Sequence, residues 1–123
     1  MTVLKYMLLI DEDAGLYEGE AGAAALEEIV ARHGAFAAEL GERLVGGEGL
    51  DGPCTATTVR TSGGRAAVHD GPFAEAQEQL GGFYIVDVAD LDAAIEIARK
   101  VPLGADGAIE IRPVLDTDDS GGA

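Results

Sequence analysis

Tryptophan is absent from this sequence, cysteine occurs once, and basic residues are scarce, with eight Lys and Arg against 23 Asp and Glu. Because Cys54 is alone, we expect no intrachain disulfide and no cysteine metal cluster. The formal net charge of -15 argues against nucleic acid and anionic membrane surfaces as partners, since both are negatively charged themselves. We therefore predict a protein that binds neither nucleic acid nor membrane.

Long apolar runs are also missing from the chain. The apolar run at residues 7–10 is far too short to span a bilayer. Residues 1–6 lack the basic region and the long apolar segment that are typical of a secretory signal. We expect a cytoplasmic protein.

The 123 residues suit a single domain with one core. Hydrophobic residues make up 47% of the chain, but many of them are Ala, so we expect a thin core. We predict one domain over residues 1–115 and a disordered tail over residues 116–123, which are small and acidic. A homodimer that shares apolar surface would compensate for the thin core.

The hydrophobic pattern predicts alternating strands and helices. Residues 3–10 are almost continuously apolar, as in a strand buried on both faces. Residues 44–50, 82–88 and 109–115 are predicted to be further strands, and Asp90 is placed to cap a helix that runs to about residue 101. Apolar residues at helical spacing predict a helix over residues 21–44; they are Leu26, Ile29, Val30, Phe36, Ala37, Leu40 and Leu44.

A β-hairpin is predicted from residues 55–61 and 65–69, which flank a Ser-Gly-Gly turn. Pro72 and Glu75 then suit the first turn of a short acidic helix. In chain order these elements predict an α+β fold, a ferredoxin-like sandwich with the hairpin inserted between two split β-α-β units. The helices would cover one face of the sheet, and a second copy of the chain would cover the other.

His33 is the first candidate for chemistry. At helical spacing it lies within the arc set by Leu26, Val30 and Leu40, so its ring is predicted to point inward. A buried imidazole can titrate near neutrality and act as an acid or a base. A core histidine that is hydrogen-bonded to a backbone carbonyl is the more common arrangement at such a position.

His69 and Asp70 are adjacent at the end of a predicted strand. Neighbouring strand residues point to opposite faces, so a pair of Asp70 with the distant His33 is favoured over a pair of these two residues. Asp70 also has a structural role open to it, since its carboxylate can accept backbone N–H groups in an Asx-turn before Gly71.

The spacing of the candidate residues matches no motif for a metal site, a phosphate-binding cofactor site or a serine nucleophile. His33 and His69 are far apart in the sequence, and no HxH, HxxxH or Glu-x-x-His spacing occurs. The paired glycines match neither phosphate-binding loop pattern, and Ser62 lies in a predicted turn. We predict no metal and no organic cofactor.

Several blocks, in order, give the chain its resemblance to a known family. They are Lys5-Tyr6-Met7-Leu8-Leu9-Ile10, Gly34-Ala35-Phe36, Gly47-Glu48-Gly49-Leu50, Thr55-Ala56-Thr57-Thr58-Val59-Arg60, Asp70-Gly71-Pro72-Phe73, Glu75, Glu78-Gln79-Leu80-Gly81-Gly82-Phe83-Tyr84 and Ile109-Glu110-Ile111-Arg112-Pro113. Through them the chain resembles the YCII-related (YciI-like) proteins with the "DGPF" signature over nearly its whole length. The resemblance implies a dimeric α/β barrel of ferredoxin-like subunits.

The function implied by this resemblance is only loosely defined. More distant relatives are discussed as enzymes with a His-Asp pair in a dimer cleft, and one is a dechlorinating enzyme of aromatic breakdown. Asp70 carries over as the motif aspartate, and His33 is the nearest match for the histidine. The chain departs from the usual motif at Ala76 and Gln77, where Thr and Lys are common, and His69 is not the commonest residue at its position. An anion-binding role of that Lys would be absent here.

Two functions remain open from the sequence. The first is a cofactor-independent lyase or isomerase that acts on a small molecule in a dimer cleft. Its candidate catalytic residues are Asp70, His33 and His69, and its candidate substrate-binding residues are Phe73, Tyr84 and Glu48. The second is a non-catalytic regulatory or protein-binding module, because members of the family are often associated with extracytoplasmic-function sigma factors.

Overall fold

A four-stranded antiparallel sheet with two helices forms the body of the protein. The computed structural model describes residues 4–116. The strands are β1 (Leu4–Asp13), β2 (Leu44–Gly49), β3 (Thr57–Ser62), β4 (Arg65–Asp70), β5 (Glu78–Val88) and β6 (Gly107–Pro113), and the helices are α1 (Gly19–Leu40) and α2 (Leu91–Ala98). The main sheet has the order β2-β5-β1-β6, whereas β3 and β4 pair in a separate two-stranded sheet. This α+β arrangement is compatible with the predicted ferredoxin-like fold.

The core lies between one face of the main sheet and the helices. Along β1 the side chains alternate, so that Tyr6, Leu8 and Ile10 are buried while the intervening residues are only half-buried. This period of two differs from the prediction of a strand buried on both faces, because the second face has no cover within one chain. The other core residues are Phe36, Leu40, Tyr84, Val86, Val88, Ala94, Ile97 and Val101.

The first helix is shorter than predicted, since it ends at Leu40 rather than near residue 44. Gly41 follows with φ of +58°, a left-handed conformation that favours glycine, and its N–H donates to the Ala37 carbonyl. Leu44 therefore belongs to β2. Two residues predicted to face the core, Leu26 and Val30, are instead 46% and 60% exposed.

Asp90 caps α2 as predicted, because its side chain accepts a hydrogen bond of 2.9 Å from the Ala93 N–H. The predicted β3-β4 pair is also confirmed, with Ser62 opposite Arg65 across a turn of two positive-φ glycines, Gly63 and Gly64.

The short acidic helix predicted after Pro72 is wrong. Residues 71–77 form an irregular segment, and the side-chain amide of Gln79 donates to the carbonyls of Ala74 at 2.8 Å and Ala76 at 2.9 Å. In a helix, backbone N–H groups would donate to these two carbonyls. Here the side chain of Gln79 donates to them instead. Strand β5 also begins at Glu78, four residues before the predicted start.

A β-bulge interrupts the pairing of β1 with β5. Ile10 lies opposite Gly82 but Asp11 lies opposite Leu80, which leaves Gly81 as the extra residue. Beyond the bulge, Glu12 pairs with Gln79. The N-terminal part of β5 therefore still pairs with β1, but its inward and outward side chains alternate one residue out of step with those of the rest of the strand.

Among residues 4–116, no helix is long and apolar enough to cross a membrane. Of the predicted disordered tail, residues 117–123 lie outside the described residues.

Candidate functional site

A cavity of about 790 Å³ opens between α1 and the ends of the central strands. Leu26, Ile29, Val30 and His33 line it from α1, while Tyr84 lines it from β5. Leu26 and Val30 are exposed because their side chains form part of the wall of this open cavity. A smaller depression of about 560 Å³ beside Leu16 contains no imidazole and no tyrosine hydroxyl.

His33 and Tyr84 form the contact that distinguishes this cavity chemically. Nδ1 of His33 lies 2.7 Å from the hydroxyl oxygen of Tyr84, and the two ring centroids are 5.7 Å apart. Phe36, one helical turn beyond His33, packs edge-on against the Tyr84 ring at 5.4 Å. The helical period places His33 on the same face as the buried Ile29 and Phe36, so the inward orientation predicted for its ring is observed.

Burial favours the neutral forms of both partners. It lowers the pKa of His33 below the ordinary 6.5, an effect that Arg32 strengthens and Glu12 opposes. Burial likewise raises the pKa of the Tyr84 hydroxyl. Either Tyr84 donates to Nδ1 or the Nδ1–H group donates to Tyr84, depending on the imidazole tautomer. A neutral imidazole beside a protonated phenol is equipped to exchange protons with a third group.

Glu12 is a buried carboxylate in the same cavity, only 7% exposed. Its Oε2 atom accepts hydrogen bonds of 2.8 Å from the Tyr17 hydroxyl and of 2.8 Å from the Gly104 N–H. Burial, followed by the hydrogen bond to Glu12 and the charge of Glu12, raises the pKa of Tyr17 to about 12. A Cβ atom on Gly104 would lie 2.6 Å from the Tyr17 hydroxyl oxygen, so any larger residue there would displace the Tyr17 side chain.

Glu12 is not among the residues predicted from the sequence, because the first strand was predicted to end at residue 10, whereas β1 continues to Asp13. The available signal was the alternation of β1, because Glu12 continues the buried series of Tyr6, Leu8 and Ile10 at a spacing of two. A carboxylate at a strand position whose alternation predicts a buried side chain is a candidate for a functional site.

Tyr84 and Glu48 line the cavity with His33, whereas Asp70, His69 and Phe73 do not. His69 and Asp70 are exposed on β4, opposite Thr58 and Thr57. Within one chain the structure therefore does not bring His33 and Asp70 into one cavity.

The segment that follows Asp70 is held by other contacts. The Gly71 N–H donates to the Ala56 carbonyl, and the hydroxyl of Thr58 donates to the Gly71 carbonyl at 2.7 Å. The Asx-turn considered for Asp70 is not formed, because Pro72, two residues on, has no N–H to donate. Phe73 is 71% exposed, and the Arg60 guanidinium lies over its ring at 4.7 Å from the centroid.

No group of three or more His, Cys, Asp and Glu side chains that could hold a metal ion occurs within residues 4–116.

Comparison with known proteins identifies the class to which this fold and site belong. The model of the YCII-related domain matches residues 4–118. The chain therefore belongs to the YCII-related family, as its resemblance predicted. An uncharacterized protein of Rhizobium meliloti (strain 1021) is 48% identical over 61 residues, which cover 48% of this chain and 49% of that protein. The matched segment spans about half the length of this curated relative.

Proposed function

We propose that the protein is a cofactor-independent enzyme of the lyase or isomerase type, with the cavity as its substrate site. His33 and Tyr84 form its acid–base pair. The observation that carries this proposal is the 2.7 Å contact between the imidazole and the phenol on the wall of a cavity of about 790 Å³. A cavity of this size falls within the usual range for small-molecule sites.

The two side chains divide the chemistry between them. In the tautomer whose Nδ1–H donates to the Tyr84 oxygen, Nε2 of His33 accepts a proton from a carbon next to a carbonyl group, and the Tyr84 O–H donates to the oxygen on which negative charge develops. An isomerase returns the proton to another carbon of the same molecule, whereas a lyase delivers it to the departing group. Both outcomes balance in protons and electrons without an external oxidant or reductant.

Asp70 enters this site from a second copy of the chain. The sheet face opposite the helices supports a homodimer, because the half-buried Leu9 and Ile85 lie there and Oδ1 of Asp87 is buried without a hydrogen bond among the described residues. The β3-β4 pair also lacks cover, with Val59 61% and Val68 69% exposed. A hairpin seated on the partner would carry Asp70 toward the partner's His33.

Solvent hydrogen exchange tests the proposed chemistry without knowledge of the product. Small carbonyl compounds are incubated with the protein in heavy water, and deuterium incorporation next to the carbonyl is followed by proton NMR. We expect the wild type to accelerate exchange for a subset of the compounds, with the rate lost in His33→Gln and reduced in Tyr84→Phe.

Tyr6→Phe is the matched control, since it removes the hydroxyl of a buried tyrosine that does not line the cavity. Equal rates in Tyr84→Phe and Tyr6→Phe would contradict the role of Tyr84. Compounds that bind in the cavity but never exchange would favour the non-catalytic alternative, a binding or regulatory module.

A further inference from the structure

The charged groups that line the cavity are mostly carboxylates, although the Arg32 guanidinium outside the lining is close enough to lower the pKa of His33. The lining contains five carboxylates, namely Glu12, Asp13, Glu18, Glu48 and Asp51, and within residues 4–116 neither Lys nor Arg lines the cavity. His33 is the single imidazole in the lining, and burial favours its neutral form. Such a site attracts cations and repels anions.

The one buried carboxylate in this set is incompletely paired. Both hydrogen bonds that Glu12 accepts go to Oε2, and Oε1 accepts none from the described residues. The ion pairs of the described chain join Arg99 to Glu96 and Arg112 to Glu110, so no cationic side chain is paired with Glu12 there. Among the described residues the buried unpaired oxygen is Oδ1 of Asp87 and not Oε1 of Glu12, so Oε1 is accessible to solvent and can accept a hydrogen bond from a ligand.

The opposite wall of the cavity is apolar. Leu26, Ile29 and Val30 cover it from α1, and Leu26 and Val30 remain 46% and 60% exposed in the open cavity. Tyr17 and Tyr84 add aromatic rings on either side of Glu12 and His33. Rings of this kind favour a nearby cation through their π faces.

We propose that the ligand of this cavity is a small organic cation, an ammonium group attached to an apolar body. The ammonium donates to Oε1 of Glu12, and the apolar body packs against Leu26, Ile29 and Val30. This inference rests on the proposed function only for the location of the site, and it adds the class of substrate.

The test compares three probes of similar shape and different charge, namely phenethylamine, phenethyl alcohol and phenylacetate. Binding to the full chain is measured by isothermal titration calorimetry at neutral pH and about 0.15 M salt, which screens exposed charges. We expect the amine to bind about tenfold or more tightly than the alcohol, because both can donate a hydrogen bond to Glu12 but only the ammonium brings a positive charge to a lining of carboxylates. Phenylacetate should bind most weakly.

Glu12→Gln should abolish the preference for the amine, because the amide still offers an acceptor to either probe but no longer carries a negative charge. Glu27→Gln is the matched control, since Glu27 is an exposed carboxylate of α1 outside the cavity lining. The comparison of the three probes on the wild type requires no variant, so it stands even if Glu12→Gln fails to fold.

Cys54 reports where the amine binds. It is the single cysteine of the chain, exposed, and part of the cavity lining. Bound phenethylamine should slow the alkylation of Cys54 at least about threefold at saturation, since it occupies the space beside the thiol. If the amine binds but does not protect Cys54, it binds to the acidic outer surface and not in the cavity, and the inference is overturned.

The outcomes separate this inference from the proposed function. Equal affinities for the amine and the alcohol, with Cys54 protected by both, would overturn the cationic ligand and leave the cavity as a substrate site. Failure of all three probes to bind or to protect Cys54 at millimolar concentration would overturn the cationic ligand, while the hydrogen-exchange assay would still decide the proposed function.

Discussion

Nδ1 of His33 on α1 lies 2.7 Å from the hydroxyl oxygen of Tyr84 on β5, although 51 positions separate the two residues in the chain. The contact joins the longest helix to the centre of the sheet at the wall of the cavity. It therefore belongs to the stability of the fold as well as to the proposed chemistry, and mutations at either residue report on both.

Tyr84→Phe should lower the free energy of unfolding by about 1 kcal/mol, because it removes one hydrogen bond and leaves Nδ1 of His33 without its partner. Urea unfolding followed by circular dichroism measures this change. Tyr6→Phe should have a smaller effect, since no hydrogen bond is made by the Tyr6 hydroxyl among the described residues. An equal loss in the two variants would contradict the stabilising role of the contact.

Protonation of His33 should destabilise the protein. Because burial holds its pKa below 6.5 in the folded chain, the unfolded chain binds this proton more readily. The stabilisation is complete above the unfolded pKa and is lost as pH falls through 6.5 toward the lower folded pKa.

The His33 contribution is measured as the difference between the free energies of unfolding of the wild type and His33→Gln across this pH range. The exposed His69 is present in both proteins, so its contribution cancels. Parallel pH curves for the two proteins would rule out a pKa shift at His33.

Gly104→Ala should disturb the Glu12 site without a change of charge. The added Cβ would lie 2.6 Å from the Tyr17 hydroxyl oxygen, so Tyr17 must move away from Glu12. We expect a loss of about 1–3 kcal/mol in stability, typical of overpacking. The pKa of Tyr17 should fall from about 12 toward 10, as measured by ultraviolet titration.

Gly34→Ala provides the comparison for Gly104→Ala. A Cβ there meets nothing within 4 Å, and Ala is favoured over Gly in a helix, so this variant should gain up to about 1 kcal/mol. A similar response of the two glycine variants would show that the contact with Tyr17 is unimportant.

Ile85→Asp should convert the proposed homodimer to a monomer, because it places a charge on the apolar face of the sheet opposite the helices. Sedimentation velocity measures the change in mass. Ala31→Asp, on the exposed side of α1, adds the same charge and should leave the dimer intact. A wild type that sediments as a monomer would exclude the dimer and with it the route of Asp70 to His33.

Periodicity predicted much of the fold because burial follows it directly. Phe36 and Leu40 are buried on α1 as their spacing requires, and Asp90 caps α2 through a local contact. The boundary at Gly41 was missed because Leu44 continues the apolar spacing of the helix into β2. The inward orientation of His33 was predictable for the same reason as that of Phe36.

The remaining features depend on contacts that are distant in the sequence. The segment after Pro72 has the composition of a helix start, but Gln79 binds the carbonyls of Ala74 and Ala76. Tyr84 was predicted as a candidate substrate-binding residue, and only the packing of α1 on the sheet reveals it as the partner of His33. Glu12 acquires its partner Gly104 from 92 residues away.

Because of the bulge at Gly81, the number of residues in β5 decides which side chains of its N-terminal part point toward the cavity. Removal of one residue there would exchange the directions of Gln79 and Leu80, because successive strand residues point to opposite sides. The amide of Gln79 would then leave the carbonyls of Ala74 and Ala76. A one-residue deletion, nearly invisible in composition, would thus change the cavity rim and release the Ala74 and Ala76 carbonyls together. A deletion at this glycine is therefore expected to change the cavity rim and the irregular segment together. A change in the length of the strand could not adjust one of them without the other.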